Sequence, residues 1–209
     1  MPSSTRTVAL AITGASGIAY SLRLLECLIA AGARVYVMIS KPGQIVIGME
    51  SKLCLPGRIP DMQRFLSAHF NAAPGQLQVL GQDQWTAPVA SGSSAPEAMA
   101  ICPCTTGTLA AVACGASRSL LERAADVMLK ERRKLILVVR ETPLSEIHLQ
   151  NMLTLARMGA IIMPANPGFY HCPESIEQLV DFMVARVLDH MNIKHALLPR
   201  WGMDTDGKT

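Results

Sequence analysis

Two charged residues directly follow a run of apolar, mostly β-branched or leucine residues in the last third of the chain. The run is Leu135–Val139, and Arg140 and Glu141 come immediately after it. A charged side chain at the end of a buried strand is costly unless it is paired or has a function. Arg140 could hold an anionic ligand and Glu141 could move a proton, with a surface salt bridge as the alternative explanation.

Two other segments combine small and hydroxyl-bearing residues where a strand is predicted to give way to a helix. Thr13-Gly14-Ala15-Ser16-Gly17 follows the first apolar run, and Thr105-Thr106-Gly107-Thr108 follows a later one. Glycine lets the backbone approach a phosphate, and a helix that begins there offers free N–H groups. A tight turn explains the first segment nearly as well, and a helix N-cap needs only one hydroxyl of the second. Three hydroxyls at one helix start favour an anion site.

Aromatic side chains are concentrated late in the chain. Phe169 and Tyr170 lie in an irregular segment, residues 167–171, and Trp201 follows the last predicted helix. Surface loops rarely need aromatic side chains, so Phe169 and Tyr170 indicate the wall of a ligand site, with a hydrophobic plug as the alternative. We expect Trp201 to dock on the domain, because an exposed Trp in a tail would leave a large apolar surface in water.

Several cations lie on predicted helices. Arg123 and Lys130 are seven residues apart and therefore share one helix face, and Arg186 lies in the last helix. Such residues are usually a solvated helix surface. The aspartates are scattered rather than clustered, so any phosphate must be held by Arg, Lys, Tyr or backbone N–H groups instead of Mg²⁺.

Composition excludes several function classes. The chain has 19 Lys and Arg against 16 Asp and Glu, a formal charge of +3, far from the dense basic surface of a nucleic-acid-binding domain. No apolar run approaches the roughly 20 residues of a transmembrane helix, and the polar residues 1–7 do not fit a signal peptide. We therefore expect a cytoplasmic protein that binds no nucleic acid and does not insert into a membrane.

The cysteines favour reduced thiols over a metal site. None of the six forms a CxxC pair. A zinc site could be assembled from Cys102, Cys104, His171 and Cys172, but their spacing matches no common zinc motif. We expect free thiols in a reducing compartment and no metal.

Short apolar runs alternate with longer helical stretches, which predicts a mainly parallel sheet with helices on both faces, a three-layer α/β/α domain. The predicted strands are 7–13, 34–39, 78–80, 98–101, 135–139 and 160–163. The predicted helices are 18–31, one from Pro42 to about Glu50, 61–70, 104–113, 120–131, 144–158 and 175–190. A chain of 209 residues, half of them apolar, fits one domain over residues 1–191, and a tail, residues 192–209, is expected to dock near the site.

Many of these segments occur in an order typical of one known family. They are Thr13-Gly14-Ala15-Ser16-Gly17, Ser40-Lys41, Glu50, Ser91-Gly92-Ser93, Arg123-Ala124-Ala125-Asp126-Val127, Lys130-Glu131-Arg132-Arg133, Arg140-Glu141-Thr142-Pro143-Leu144, Pro164-Ala165 and Pro167-Gly168-Phe169-Tyr170. Each motif alone is weak evidence for a family, but so many motifs in the same order are highly specific. Over roughly residues 7–202 the chain resembles the UbiX/Pad1 family of flavin prenyltransferases, formerly called aromatic-acid decarboxylases.

The resemblance implies a Rossmann-like (flavodoxin-like), doubly wound fold and a homo-oligomer, commonly a dodecamer, with sites at subunit interfaces. It implies a metal-independent transferase that joins the dimethylallyl group of dimethylallyl monophosphate to N5 and C6 of reduced FMN. The prenylated FMN would pass to a UbiD-type decarboxylase, in ubiquinone biosynthesis or aromatic-acid decarboxylation.

The resemblance also assigns roles to residues. FMN would be bound by Gly14, Ala15, Ser16, Ser40, Thr105, Thr106, Gly107, Thr108 and Arg140. Dimethylallyl monophosphate would be bound by Ser91, Arg123, Lys130, Tyr170 and Arg186, and catalysis would use Ser16, Glu50, Lys130, Glu141 and Trp201. Many relatives have Ser-Met-Lys-Thr where this chain has residues 105–108, so any phosphate contact of that lysine must come from another group here.

Two other functions fit the same fold. An FMN-dependent decarboxylase of cysteine-type substrates would need a catalytic histidine early in the chain, whereas the first histidine here is His69. A non-catalytic flavin carrier would not need the second set of phosphate ligands, Arg123, Lys130, Tyr170 and Arg186. A dinucleotide-dependent dehydrogenase fits less well, because the second strand ends at Ser40 where an acidic ribose ligand is expected.

Overall fold

The computed structural model describes residues 6–198. Its strands are β1 (Thr7–Ile12), β2 (Arg34–Ile39), β3 (Leu77–Leu80), β4 (Ala98–Cys104), β5 (Lys134–Val139) and β6 (Ile161–Ile162). All neighbours are parallel, in the order β3-β2-β1-β4-β5-β6. The strand order reverses between β1 and β4, which confirms the predicted doubly wound, Rossmann-like α/β fold.

Helices cover both faces of the sheet. They are α1 (Ile18–Ala30), α2 (Lys41–Glu50), α3 (Ile59–His69), α4 (Thr106–Ala113), α5 (Leu120–Lys130), α6 (Glu146–Arg157) and α7 (Ile176–Met191). One core cluster contains the buried residues of α1, α2, α3 and α7, and a second cluster on the other face contains those of α4, α5 and α6. Within residues 6–198, no helix is both long and apolar enough to cross a bilayer.

The central strands are apolar throughout because both of their faces are buried. Along β1, Val8, Leu10 and Ile12 pack into the first cluster and Ala9 and Ala11 into the second. None of the five is more than 1% exposed. This burial on both faces explains why the sequence shows continuous apolar runs rather than alternation.

The largest difference from the predicted boundaries lies at the end of β4. The strand continues through Pro103 to Cys104, beyond the predicted end at residue 101, and α4 begins at Thr106 rather than at residue 104. Proline within a central strand usually marks its end, because it has no N–H for the ladder. Here the strand continues past a register irregularity, after which Cys104 pairs with Val139.

A buried threonine joins the carboxyl ends of the two strands at which the sheet order reverses. The Thr13 hydroxyl donates to the carbonyl oxygen of Pro103 at 2.7 Å and accepts from the Thr105 amide at 2.9 Å. Thr13 is 1% exposed. Its side chain therefore fixes the turn after β1 relative to the turn after β4, on both sides of the crevice in which ligands of this fold class bind.

The chain turns back along α7 after that helix ends. Asn192 adopts a left-handed conformation, with φ of 57°, and Ile193 is buried against the first core cluster. Leu197 also packs on that cluster. The predicted docking of the rest of the tail, including Trp201, concerns residues outside those described and stays a prediction.

Candidate active site

The turn after β1 lies tightly against the start of α2. An added Cβ at Gly14 would overlap the Cβ of Pro42, and one at Gly43 would lie 2.7 Å from the carbonyl oxygen of Ile12. Only glycine therefore allows the two segments to come this close. Ser40 caps α2, accepting a hydrogen bond from the Gly43 amide at 3.0 Å. The structure thus brings Ser40 and its turn beside the predicted Gly14–Ser16 segment.

Glu50, the last residue of α2, occupies the amino end of α1. Its carboxylate accepts hydrogen bonds from the amides of Gly17 at 2.8 Å and Ile18 at 3.0 Å. Burial alone would raise the pKa of Glu50, but the Ser16 hydroxyl, these two amides and the charge of Arg140 outweigh it and hold the pKa below its usual value. The prediction that this helix offers free N–H groups is therefore wrong for Gly17 and Ile18, because Glu50 already binds them.

Arg140 follows β5 directly, and its amide donates to the carbonyl oxygen of Cys104 at 3.3 Å. Its side-chain Nε is buried and has no hydrogen-bond partner among the described residues. A buried donor without an acceptor is costly, so this nitrogen calls for a ligand atom. Glu141 is exposed, and its carboxylate accepts a hydrogen bond from the Thr142 amide at 3.2 Å.

The hydroxyls at the start of α4 bind largely to one another. The Thr105 hydroxyl accepts from the Thr108 amide at 3.1 Å and donates to the Thr108 hydroxyl at 2.9 Å. The helix N-cap predicted as an alternative is therefore present. A role of Thr105, Thr106, Gly107 and Thr108 in FMN binding stays a prediction.

The four candidate zinc ligands are in different environments. Cys102 and Cys104 are buried in β4, whereas His171 and Cys172 are exposed. Burial raises the pKa of both strand thiols, that of Cys102 to about 12, so they stay protonated. Among residues 6–198 no group of His, Cys, Asp and Glu is arranged to hold a metal ion, and all six cysteines are free.

Arg123, Lys130 and Ser91 form a second group around α5. Arg123 donates through Nε to the carbonyl oxygen of Ala90 at 3.2 Å and through Nη1 to Asp126 at 2.6 Å. Lys130 pairs with Glu131, whose carboxylate lies against Gly92, next to Ser91. Because α5 leads into β5, Lys130 lies at the amino edge of the sheet, the edge opposite to Ser16 and Arg140.

Tyr170 and Arg186 form a third group beside α7. They line a groove of about 950 Å³ together with Phe182, Asp189 and His195. Arg186 donates to Asp189 at 2.7 Å, and Tyr170 is 78% exposed. The groove lies outside the first core cluster, whereas Arg123 and Lys130 are on a helix that packs against the second.

One chain therefore does not assemble all the predicted residues. The carboxyl edge brings together Ser16, Glu50 and Arg140, while α5 and α7 carry the proposed phosphate ligands on opposite faces of the sheet. Trp201 lies outside the described residues.

Three residues hold predicted site residues in place through contacts that the sequence does not predict. Thr13 begins the predicted Thr13–Gly17 segment, but no sequence pattern predicts that its hydroxyl joins the ends of β1 and β4. Asp189 lies three residues after Arg186, the spacing of a helical ion pair, and that signal could have identified it. His195 carried no such signal, because its contact with Asp189 depends on the turn at Asn192.

Comparison with known proteins identifies the family to which this chain belongs. Residues 2–188 match the family model described as Flavoprotein. The flavin prenyltransferase UbiX of Pseudomonas aeruginosa is 56% identical over 200 residues, which cover 96% of each chain. The chain belongs to the UbiX family of flavin prenyltransferases.

Solved structures agree with this assignment. The structure of AnUbiX (PadA1) in complex with FMN and dimethylallyl pyrophosphate has a TM-score of 0.82 and 39% identity, covering 94% of this chain and 97% of that one. A dodecameric FMN-dependent UbiX-like decarboxylase from Escherichia coli O157:H7 has a TM-score of 0.81 and 36% identity, covering 93% and 98%. The FMN-dependent cysteine decarboxylase TvaF has 15% identity at a TM-score of 0.57, covering 90% and 98%, a likeness of fold alone.

Proposed function

We propose that this protein is a flavin prenyltransferase that transfers a dimethylallyl group from dimethylallyl monophosphate to N5 and C6 of reduced FMN. The observation that carries the proposal is the buried Nε of Arg140, which lacks an acceptor among the described residues, in a chain of the UbiX family. That nitrogen lies at the carboxyl edge of the sheet, close enough to Glu50 to lower the pKa of its carboxylate.

The residues at this edge fit FMN. FMN carries a phosphate, carbonyl oxygens and ring nitrogens, and Arg140, Ser16 and Ser40 supply a cation and hydroxyl groups to meet them. Gly14 allows the turn after β1 to pack directly against Pro42 at the start of α2, which keeps Ser16 and Ser40 on neighbouring turns. Reduced FMN supplies the nucleophilic nitrogen and ring carbon, and the protein supplies binding, orientation and proton transfer.

The prenyl donor needs a separate set of cations. When the allylic C–O bond breaks and the bond to N5 forms, negative charge grows on the departing phosphate. Arg123, Lys130 and Arg186 stabilise that charge, with Tyr170 and Ser91 as hydrogen-bond donors, and no metal is needed. The family resemblance assigns Trp201 to catalysis, and an indole can stabilise a cationic dimethylallyl carbon by about 0.5–2 kcal/mol.

Two carboxylates are available for the proton steps. The bond to N5 displaces the N5 proton, which the departing phosphate can accept. Ring closure then adds a proton to the prenyl double bond as the bond to C6 forms, and it releases the ring proton of C6. Glu141 is exposed beside Arg140 and serves as the proton shuttle or as the acid for the phosphate. Glu50 is held ionised and bonded to the Ser16 hydroxyl, so it can orient Ser16 or accept the ring proton.

A complete site requires more than one chain. Since α5 and α7 lie on opposite faces of the sheet, Arg123 and Lys130 of one copy would meet Tyr170 and Arg186 of another in a homo-oligomer, which we propose is a dodecamer. Exposed apolar residues on α2 and α6, Ile45, Met49 and Ile147, support such association, because surfaces of this kind usually mark contacts. The product would pass to a UbiD-type decarboxylase, for ubiquinone biosynthesis or aromatic-acid decarboxylation, and the free thiols favour a reducing, cytoplasmic setting.

Mass spectrometry of the flavin tests the proposal. The protein is incubated anaerobically with reduced FMN and dimethylallyl monophosphate, without Mg²⁺, and the molecular mass of the extracted flavin is measured. We expect a flavin heavier by one isoprene unit, while parallel reactions with the diphosphate compare the donors. Arg140→Ala should weaken FMN binding by at least about tenfold, because it removes a buried charge-assisted contact.

The control is Arg64→Ala, which removes an arginine whose side chain is 80% exposed on α3 and should leave FMN binding unchanged. Unmodified FMN from a wild-type protein that binds it would contradict prenyl transfer and favour a decarboxylase of cysteine-type substrates or a flavin carrier.

A further inference from the structure

The groove beside α7 contains a chain of polar contacts that ends in a histidine. Asp189 lies one helical turn after Arg186 and uses both oxygens: one accepts from Arg186 Nη1 at 2.7 Å, and the other lies 3.2 Å from His195 Nε2. Arg186, Asp189 and His195 all line the groove with Tyr170. The three side chains thus form one connected unit.

The neighbouring backbone determines which nitrogen of His195 carries the proton. The Leu197 amide donates to His195 Nδ1 at 3.3 Å, so Nδ1 is an acceptor. A neutral imidazole then has its proton on Nε2, and Nε2–H donates to Asp189. The histidine therefore acts as a fixed donor to the carboxylate.

Burial shows which end of this unit is anchored. The side chain of His195 is 14% exposed, compared with 45% for Asp189 and 51% for Arg186. The left-handed turn at Asn192 brings the histidine there, and the Ile193 amide closes the turn by donating to the carbonyl oxygen of Leu188 at 3.0 Å. The imidazole is the buried end and the guanidinium is the exposed end.

We propose that His195 is a positioning residue of the prenyl-phosphate site, holding the Arg186 guanidinium in its binding orientation through Asp189. The inference rests on the proposed function, because it takes Arg186 to be a phosphate ligand. A guanidinium carries five N–H donors, and the hydrogen bond from Arg186 Nη1 to Asp189 uses one of them. Fixing a long side chain before the ligand arrives lowers the entropy cost of binding. The ligand is an organic monophosphate or diphosphate that the oligomer binds at this groove.

Substitution of His195 should therefore weaken binding of the prenyl phosphate and leave binding of FMN unchanged. We expect His195→Ala and His195→Phe to raise the KM and the calorimetric Kd for dimethylallyl monophosphate by about tenfold, with kcat and the Kd for FMN within about twofold of wild type. The phenylalanine variant keeps the ring volume and carries the test if the alanine variant fails to fold. His195→Gln should restore most of the affinity, because its amide can donate to Asp189.

A double-mutant cycle separates positioning from a direct contact. If His195 acts through Asp189, the double variant Asp189→Ala with His195→Ala should bind the phosphate no more weakly than Asp189→Ala alone. The matched control is His69→Gln, on the exposed surface of α3 outside the groove, which should change neither constant.

The outcomes distinguish the two proposals. A wild-type protein that forms prenylated FMN, together with His195→Phe that has an unchanged KM for the prenyl phosphate, would overturn the role of His195 and leave the proposed function intact. Additive effects of the two alanine substitutions would also overturn it. A wild-type protein that forms no prenylated FMN would instead reject the proposed function.

Discussion

Glu50 supplies the amino end of α1 with a negative charge from within the chain. Amides at the start of a helix commonly bind a ligand phosphate in this fold class. Here the amides of Gly17 and Ile18 donate to the carboxylate of Glu50 instead. An anionic ligand must therefore be met by other groups, and the buried Nε of Arg140 is one that needs an acceptor. Glu50 thus satisfies the amides at the start of α1, whereas Arg140 remains available to bind a ligand.

Glu50→Gln should change how stability depends on pH. Burial opposes ionisation of Glu50, but the Ser16 hydroxyl, the two amides and Arg140 favour it more, so the folded-state pKa is below the unfolded one. The ionised carboxylate therefore stabilises the fold above the unfolded pKa, and this contribution is lost as the pH falls through the folded pKa. We expect the urea midpoint of the variant to be lower than wild type at neutral pH and to converge with it in acid.

The measurement compares urea midpoints across pH at one protein concentration, since oligomers unfold in a concentration-dependent way. Glu174→Gln, at an exposed position before α7, is the control and should follow wild type throughout. A Glu50→Gln difference that stays constant down to strongly acidic pH would show that the charge of Glu50 does not stabilise the fold.

Local sequence was enough to single out Arg140 but not to find the contacts of Glu50. The charge of Arg140, directly after the apolar run Leu135–Val139, is visible in the sequence alone, and the structure places it at the carboxyl edge of the sheet. Glu50 meets amides more than 30 residues earlier in the chain, at a distance that only the packing of α2 on the first turn determines. Glu50 was predicted as a site residue only from the family resemblance, because no periodicity or spacing in the sequence indicates it.

At the scale of elements, the site depends on how β1 and β4 end together. The continuation of β4 through Pro103 was not predictable from propensity, because proline normally ends a central strand. The Thr13 hydroxyl accepts a hydrogen bond from the Thr105 amide and donates one to the carbonyl oxygen of Pro103. The position of the start of α4 therefore depends on the end of β1. The helix boundaries were predicted to within a few residues because their amphipathic patterns are local.

Thr13→Val should loosen both turns. The substitution keeps the shape of the side chain but leaves the half-buried Thr105 amide without its acceptor, at a cost of about 1–3 kcal/mol in the free energy of unfolding. We expect weaker FMN binding as well, and Thr13→Ser should recover both properties. Urea unfolding and flavin titration measure the two effects.

Ser21→Ala is a matched control for Thr13→Val. The Ser21 hydroxyl is also buried and donates to the carbonyl oxygen of Cys102 at 2.7 Å, but it lies within α1 and not at the turns. It should lower stability without changing FMN affinity. If Thr13→Val and Ser21→Ala had the same effect on FMN binding, the bridge made by Thr13 would not be what positions the turns.

At the scale of the whole molecule, the doubly wound topology itself separates the proposed phosphate ligands. Each crossover places its helix on one face, so α5 and α7 reach opposite faces whatever their side chains are. Sequence patterns identify Arg123 and Lys130 as neighbours on one helix, but they do not reveal which face that helix covers. Only the assembled strand order shows that one chain cannot gather these cations in one place.

Mixed oligomers test whether one site takes its cations from two copies. Arg123→Ala and Arg186→Ala chains, each with its own affinity tag, are co-expressed and purified through both tags. Each variant alone should have little activity, because each site loses a phosphate ligand. If the two arginines of a site come from different copies, about one quarter of the sites in a random mixture regain both, and activity should return to about a quarter of wild type.

The decisive comparison is a pair of variants from the same groove. Tyr170 and Arg186 line one groove of one chain, so mixing Tyr170→Ala with Arg186→Ala chains should leave every groove with one defect and restore no activity. Rescue by the first mixture and not by the second would identify the shared site, because both mixtures contain the same number of altered chains. Failure of the first mixture to exceed its parent variants would mean that Arg123 and Arg186 of one site belong to one chain, and the proposed division between copies would be wrong.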